Sequence, residues 1–221
     1  MALKRRLGEN KIYAIIAVFI LIVIVTTVII TSNNYTPAKI PFEFLSDDWF
    51  QDIEDTTSDS QILSSWSSLT YKNYNDSYPA YVTVTTRKTL FMMSEDELMD
   101  ETIKTIKDAS KQGIIVDEAT KETGSRILST GEHMTRYVVY NGFDNSNGVS
   151  EEIKIIGETW NCGISGISII CIGFAQATDN MHDNPEVVAT HWAKIVRDEQ
   201  GTFGTGEYMG QDGLLFNVDC H

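Results

Sequence analysis

The sequence has 221 residues, of which 31 are acidic and 17 are basic, and its formal net charge is −14. A chain this acidic would repel the phosphates of nucleic acid and the headgroups of anionic lipids, so the composition argues against both as binding partners. Its length suits one domain with a full hydrophobic core and is hardly enough for two. Solubility is the common reason for such a charge, and binding to a cationic partner is the alternative.

Residues 12–30, bounded by Ile12 and Ile30, form an unbroken apolar run. As a helix this run would reach roughly 28 Å, which matches the hydrocarbon thickness of a bilayer. Residues 1–11 have a net charge of +3, whereas the rest of the chain has −17. Basic flanks stay on the cytoplasmic side of a membrane. We therefore predict a cytoplasmic tail at 1–11, a transmembrane helix at 12–31 with the lipid bilayer as its partner, and a single-pass protein of the cell membrane whose bulk is extracytoplasmic.

Two other kinds of N-terminal segment share features with this run. A cleaved secretory signal has a shorter apolar region and a cleavage site between small residues, and this sequence has neither. A prepilin-type signal is suggested by Arg5-Arg6-Leu7-Gly8, which precedes a polar residue and then the apolar run. Tyr13 stands where pilins often carry glutamate, and Lys11 interrupts the pattern. A pilin-like filament subunit therefore stays as the alternative to a signal anchor.

A linker at 32–41 leads to the extracytoplasmic domain, which we place at 42–203, followed by a glycine-rich acidic tail at 204–221. The segment 43–59 carries seven carboxylates and no basic residue. It lacks the spacing of an EF-hand, so we interpret it as a solvated acidic face rather than a calcium site. Asn34 and Asn75 begin glycosylation sequons in polar segments.

Within the domain, the sequence pattern predicts an alternation of strands and helices. A capping box formed by Ser94 and Glu97 marks the start of a helix that Gly113 ends. Asn184 and Pro185 mark the start of the last helix, which ends at Gly201. The predicted strands are at 80–89, 114–116, 125–129, 136–140, 152–160 and 167–175, with a hairpin loop rather than a calcium loop at 141–150. The last strand is apolar on both faces, which is typical of the centre of a sheet.

The chain has three cysteines, so at least one stays unpaired. Cys162 and Cys171 fall on the last two predicted strands and are a disulfide candidate. If the turn between these strands centres on 166–167, the two cysteines lie opposite each other and can bridge. If it centres two residues earlier, they are four positions out of register, which is too far for a disulfide.

No sequence motif establishes a catalytic or cofactor site. His182 and His191, with Asp179 and Asp183 beside the first, are weak metal candidates, because no spacing places two imidazoles on one face. The triplet 219–221, Asp-Cys-His, puts a thiol next to an imidazole, but we interpret it as accidental because chain ends are usually mobile. Neither a serine nucleophile motif nor a phosphate loop is present. We therefore predict that the protein is not an enzyme and holds no cofactor.

The order of the elements resembles that of the PsbP-like family, whose fold is that of an extrinsic photosystem subunit. The resemblance covers about residues 78–203 and rests on the segments YVTVTTRKT, SEDELMDETIKTIKDASKQGI, RYVVY, EEIKIIGETW, SIICIGFA and ATHWAKIVRDEQGTF. It implies an α+β fold with a central antiparallel sheet sandwiched by helices, and a non-enzymatic accessory or docking role. The acidic insert at 46–77 and the glycine-rich tail depart from the family pattern.

The sequence thus predicts an N-terminal transmembrane helix followed by one α+β domain. We interpret this domain as a non-catalytic binding or accessory module for a membrane or envelope complex, acting on a protein partner that the sequence does not identify. The pilin-like subunit is the first alternative. A metal-binding or enzymatic domain that uses His182 and His191 is the second.

Overall fold

The computed structural model describes residues 35–45, 48–61, 64–74, 79–129, 133–145, 148–176, 185–197, 203 and 213–221, with the backbone alone for 185–189. Eight strands and two α-helices occur in this part of the chain. In order they are β1 Trp49–Ser60, β2 Ser64–Asn73, β3 Ala80–Thr89, α1 Glu95–Asp108, β4 Ile114–Val116, β5 Glu122–Ile127, β6 Met134–Asp144, β7 Glu151–Cys162, β8 Ile167–Gln176 and α2 Pro185–Val196.

All eight strands belong to one antiparallel sheet. Its order is β1-β2-β3-β8-β7-β6-β4, and β5 pairs with the free part of β6. Strand β8 lies in the middle and is buried on both faces over nearly its whole length. Its sequence, ISIICIGFAQ, is apolar at successive positions rather than at alternate ones, which is the pattern of a strand covered on both sides. The apolar run at 167–175 is therefore the central strand that its sequence predicts.

Two glycines show that the helices pack on opposite faces of the sheet. A Cβ atom on Gly157 would lie 2.4 Å from Thr102 Cγ2 of α1, and one on Gly173 would lie 2.5 Å from Ile195 Cγ2 of α2. Gly157 pairs with Ile172, the neighbour of Gly173. Paired residues share a face and successive residues alternate, so the two glycines point to opposite sides. Each glycine lets one helix approach the sheet closely.

The fold class that we predicted is wrong. We expected a transmembrane helix and an α+β domain with its sheet sandwiched by helices, whereas the described residues are mostly antiparallel sheet with two α-helices. Much of the difference comes from 43–77, which we interpreted as a solvated acidic face and an insert. Most of it forms β1 and β2, of 12 and 10 residues. Strand β1 is at the edge of the sheet, where exposed carboxylates are tolerated and discourage pairing with another chain.

The predicted membrane span also needs correction. Among the described residues, neither helix is long and apolar enough to cross a bilayer. The structure therefore does not support a transmembrane helix, a signal anchor or a single-pass location in the cell membrane. Residues 12–30, on which that prediction rested, lie outside the described residues.

Residues 213–221, which we assigned to a tail beyond the domain, pack into its core. Leu214, Leu215 and Val218 are buried in the same cluster as the residues of β8 and α2. The backbone of Asp219 pairs with that of Lys39 through two hydrogen bonds of 2.9 and 2.8 Å. The segment therefore lies fixed on the sheet face that α2 covers, and it carries two of the side chains described next.

Candidate metal centre

Two histidines and two cysteines meet at one end of the sheet. They are His133, just before β6, Cys162, the last residue of β7, and Cys220 with His221 in the segment 213–221. One donor atom from each side chain can be chosen so that all four lie within 4.8 Å of one another. We call these four residues the His₂Cys₂ cluster.

The register of β6 and β7 brings the first two members together. Arg136 pairs with Thr159 in this antiparallel ladder. Three residues further towards the end of the sheet, the same register places His133 opposite Cys162. Backbone hydrogen bonds also fix the chain at both residues. Leu128 N–H donates to His133 O at 3.0 Å, and Gly166 N–H donates to Cys162 O at 2.8 Å.

The other two members are positioned by the segment 213–221. The bridge between Lys39 and Asp219 anchors the backbone directly before Cys220. The N–H of His221 donates to Asp219 Oδ1 at 3.0 Å, which turns the chain locally. The Cys162 thiol lies 3.6 Å from the Cys220 carbonyl oxygen, to which it donates. The bridge and the His221 hydrogen bond thus hold Cys220 and His221 at the sheet end without a metal.

Several donor atoms of the cluster are spaced like ligands of a tetrahedral ion. His133 Nε2 lies 3.3 Å from His221 Nε2 and 3.3 Å from Cys220 Sγ. Cys162 Sγ lies 3.5 Å from His221 Nδ1. Bonds of about 2.0 Å to nitrogen and 2.3 Å to sulfur place tetrahedral ligands about 3.3 Å apart for two nitrogens and about 3.6 Å apart for nitrogen and sulfur. The two distances from His133 Nε2 are therefore close to the edges of a tetrahedral zinc site, whereas Cys162 approaches His221 through the other ring nitrogen, and the four donors as a set lie within 4.8 Å.

The cluster is largely shielded from water. His133, Cys162 and Cys220 are buried, and His221 is exposed at its rim. Burial raises the pKa of the Cys220 thiol to about 12, and the neighbouring Cys162 adds to this effect. At neutral pH the Cys220 thiol is therefore protonated, and a metal ion that binds it must displace the proton.

Trp160 supplies a nearby group that favours the thiolate. Its indole Nε1–H is buried and has no hydrogen-bond partner of ordinary geometry among the described residues. The same N–H acts on Cys220 in the direction that lowers the thiol pKa. An N–H donor beside a thiol is the arrangement that a metal-bound thiolate would use, because such sulfurs accept hydrogen bonds from surrounding donors.

The donor set indicates the kind of ion and its role. Two thiolates and two imidazoles in tetrahedral geometry suit Zn²⁺. Four protein ligands fill the coordination shell, so no position is left for water or substrate. Such a site can hold protein segments together, but it cannot activate a water molecule as an open zinc site does.

The metal candidates named from the sequence do not form this site. His191 lies on α2, where its ring nitrogens are 3.4 Å from Asn73 Nδ2 and its ring meets Trp49 edge-on at 6.4 Å. Asp179, His182 and Asp183 lie outside the described residues, as do the sequon residues Asn34 and Asn75.

The candidate disulfide is not present, because all three cysteines are free thiols. Cys162 pairs with Ile167 and Cys171 pairs with Glu158, so the two cysteines are four positions out of register, the second of the two arrangements considered above. Cys171 instead lies in the core, where burial, followed by the charge of Glu158, raises its pKa well above the usual value. A thiol kept protonated in this way is inert.

Sequence reasoning noted Cys220 and His221 but dismissed them, and it passed over His133. The usual signal for zinc, two ligands separated by two to five residues in each of two pairs, is missing here. The adjacent Cys-His pair was the one local sign. Its partners come from the ends of two other strands, and only their pairing reveals them.

Comparison with known proteins gives no family for this chain. No protein-family model, curated protein or solved structure matches it. The PsbP-like resemblance therefore stays a prediction, and the function rests on the geometry of the cluster itself.

Proposed function

We propose that this protein is a non-catalytic metal-binding domain, in which the His₂Cys₂ cluster binds one Zn²⁺ ion. The observation that carries the proposal is the convergence of four donor atoms within 4.8 Å, with the two distances from His133 Nε2, 3.3 Å each, close to those of a tetrahedral zinc site. The metal-binding alternative drawn from the sequence is thereby kept, but with other ligands than His182 and His191.

The ion's role is to fasten the segment 213–221 to the sheet. Two ligands come from the ends of β6 and β7 and two from this segment, so the ion cross-links parts of the chain that are distant in sequence. Binding energy at such a site contributes directly to folding, because the unfolded chain has no preformed site. With the ion serving structure, the domain acts by binding and not by catalysis, which agrees with the accessory role that the PsbP-like resemblance implies.

Metal titration of the full chain tests the proposal. The purified protein is stripped with a chelator under reducing conditions and titrated with Zn²⁺, and with Co²⁺ as a spectroscopic probe. We expect one ion per chain, with Co²⁺ showing the visible bands of a tetrahedral site and charge transfer from thiolate. We also expect Zn²⁺ to raise the midpoint of thermal unfolding, because it binds the folded state.

Matched substitutions separate ligands from bystanders. Cys220→Ala and His221→Ala should each weaken binding strongly, whereas Cys171→Ala and His191→Ala should keep one ion per chain with unchanged affinity. Stoichiometric binding that survives the double substitution Cys220→Ala and His221→Ala would show that the ion sits elsewhere. A wild-type chain that takes up no ion, or that isolates with Cys162 and Cys220 joined as a disulfide, would also contradict the proposal.

A further inference from the structure

A cleft of about 820 Å³ opens beside β1, away from the donor atoms of the metal centre. It lies between the turn at Phe42–Phe44, the first residues of β1, the residue after β2 and the segment 213–221. Its lining includes four aromatic residues and two carboxylates, which are Phe42, Trp49, Phe50, Tyr74, Glu43 and Asp219.

The aromatic part of the lining includes two side chains that are largely exposed to solvent. Phe50 and Tyr74 stack with their ring centroids 4.4 Å apart and their planes 26° from parallel. Tyr74 is nevertheless 63% exposed, and Phe42 is 84% exposed. Trp49, which is buried, forms the floor beside them. Exposed aromatic rings that surround a cleft mark a binding site more often than a structural need, because burial would otherwise stabilise them.

The polar part of the lining is mainly anionic. Glu43 and Asp219 contribute two carboxylates, and Lys39 contributes one ammonium group. The Asp219 side chain is fixed, since its Oδ1 accepts the N–H of His221 at 3.0 Å. The field of the whole chain acts in the same direction, because its formal net charge is −14. A positively charged ligand is therefore attracted to this cleft and an anion is repelled.

We propose that this cleft binds a methylated ammonium group. The faces of aromatic rings carry partial negative charge and attract a diffuse cation within about 6 Å, and methyl groups pack against the rings without wanting hydrogen bonds. The carboxylates of Glu43 and Asp219 balance the charge of the ligand. The same chemistry occurs in a free trimethylammonium compound and in a methylated lysine side chain of a partner protein, and a cationic partner is the alternative that the acidic composition suggests.

The cleft proposal does not rest on the zinc proposal. None of the four members of the His₂Cys₂ cluster lines the cleft, although Asp219 is next to Cys220. Ligand binding is therefore measured on the full chain as purified, and again after addition of Zn²⁺. Failure of one proposal leaves the other standing.

Isothermal titration calorimetry and chemical-shift mapping test the cleft directly. The probes are tetramethylammonium, choline, a peptide with one trimethyllysine, and 3,3-dimethylbutan-1-ol, which has the shape of choline without its charge. We expect the cations to bind with shifts confined to the cleft, and the neutral isostere to bind at least tenfold more weakly. Preference for the peptide would indicate a protein partner, and equal binding of choline would indicate a free ligand.

Substitutions assign the binding to named rings. Tyr74→Ala and Phe42→Ala should each weaken cation binding by about three- to thirtyfold, the range for loss of one cation–π contact. Both side chains are exposed, so the fold should be retained. Phe91→Ala removes an 82% exposed phenylalanine outside the cleft and should have no effect. Equal affinity for the neutral isostere, or equal losses in Phe91→Ala, would overturn the proposal.

Discussion

Replacing Glu158 by glutamine would leave the guanidinium of Arg126 buried without its anion. The side chain of Glu158 is fully buried and that of Arg126 is 13% exposed. Arg126 Nε donates to Glu158 Oε1 at 2.8 Å, and its Nη2 donates to the second carboxylate oxygen. The hydroxyl of Thr135 donates to the same carboxylate. Arg126 also donates to the carbonyl of Val196, so the pair joins β5, β7 and the end of α2.

The expected loss follows from the cost of an unpaired buried charge. Removal of one partner of a buried ion pair typically costs about 3–5 kcal/mol. In the variant, Arg126 keeps its carbonyl acceptor and its contacts with two aromatic rings. The ring centroids of Phe203 and Phe216 lie 5.1 and 5.7 Å from the guanidinium carbon. We therefore expect Glu158→Gln to lower the free energy of unfolding by about 3 kcal/mol. For a domain of this size, the melting temperature would fall by about 6–12 °C.

Urea unfolding of the full chain, followed by circular dichroism, measures this loss. Asp96→Asn is the control, because Asp96 pairs with Arg136 while 88% exposed and should change stability by less than about 0.5 kcal/mol. A double variant, Arg126→Met with Glu158→Met, removes both charges and should be more stable than Glu158→Gln alone. The reasoning would be refuted by a loss below about 1 kcal/mol in Glu158→Gln, or by a double variant that is no more stable.

Three further predictions concern other parts of the molecule. Because burial holds the pKa of Cys220 at about 12, Zn²⁺ must displace its proton, so affinity should rise with pH and calorimetry in several buffers should show proton release on binding. Gly157→Ala would place a methyl group 2.4 Å from Thr102 Cγ2 and should cost about 1–3 kcal/mol in urea unfolding. Gly163→Ala should leave stability unchanged, because its methyl group would meet no described residue other than its chain neighbours within 4 Å. Ser94→Ala removes the capping box of α1 and should cost about 1 kcal/mol by the same measurement, and an unchanged midpoint would argue against the cap.

The elements that sequence reasoning located correctly are those with local signals. The strand predicted at 80–89 is β3, Ala80–Thr89, because its β-branched residues alternate regularly. The capping box of Ser94 and Glu97 is confirmed in α1. Gly113 follows the 3-10 turn Ala109–Gln112 that continues from α1, and its φ of 98° is a left-handed conformation that glycine adopts without strain. Each of these features depends on residues a few positions apart.

Strand β1 was not predicted, because its many carboxylates are typical of a solvated segment rather than of a strand. Asp52 and Asp55 both bind the ammonium group of Lys72 on β2, so part of the acidic charge is neutralised across the strand pair. A strand at the edge of a sheet can carry such residues on its solvent side, while the same composition in an isolated sequence is typical of a loop. The pairing partner decides the structure here, and it lies in another strand.

The sequence by itself determined where the apolar central strand β8 lies and where helix α1 begins and ends. These features depend on apolar periodicity and on capping residues, which act over a few positions. It also determined that the chain is strongly acidic, which restricts the partners it can bind. Only the tertiary structure decided the metal centre and the aromatic cleft. Both depend on the pairing of β6 with β7 and on the docking of 213–221 onto the sheet. Those contacts join residues far apart in the chain, and no local pattern encodes the distance between their side chains.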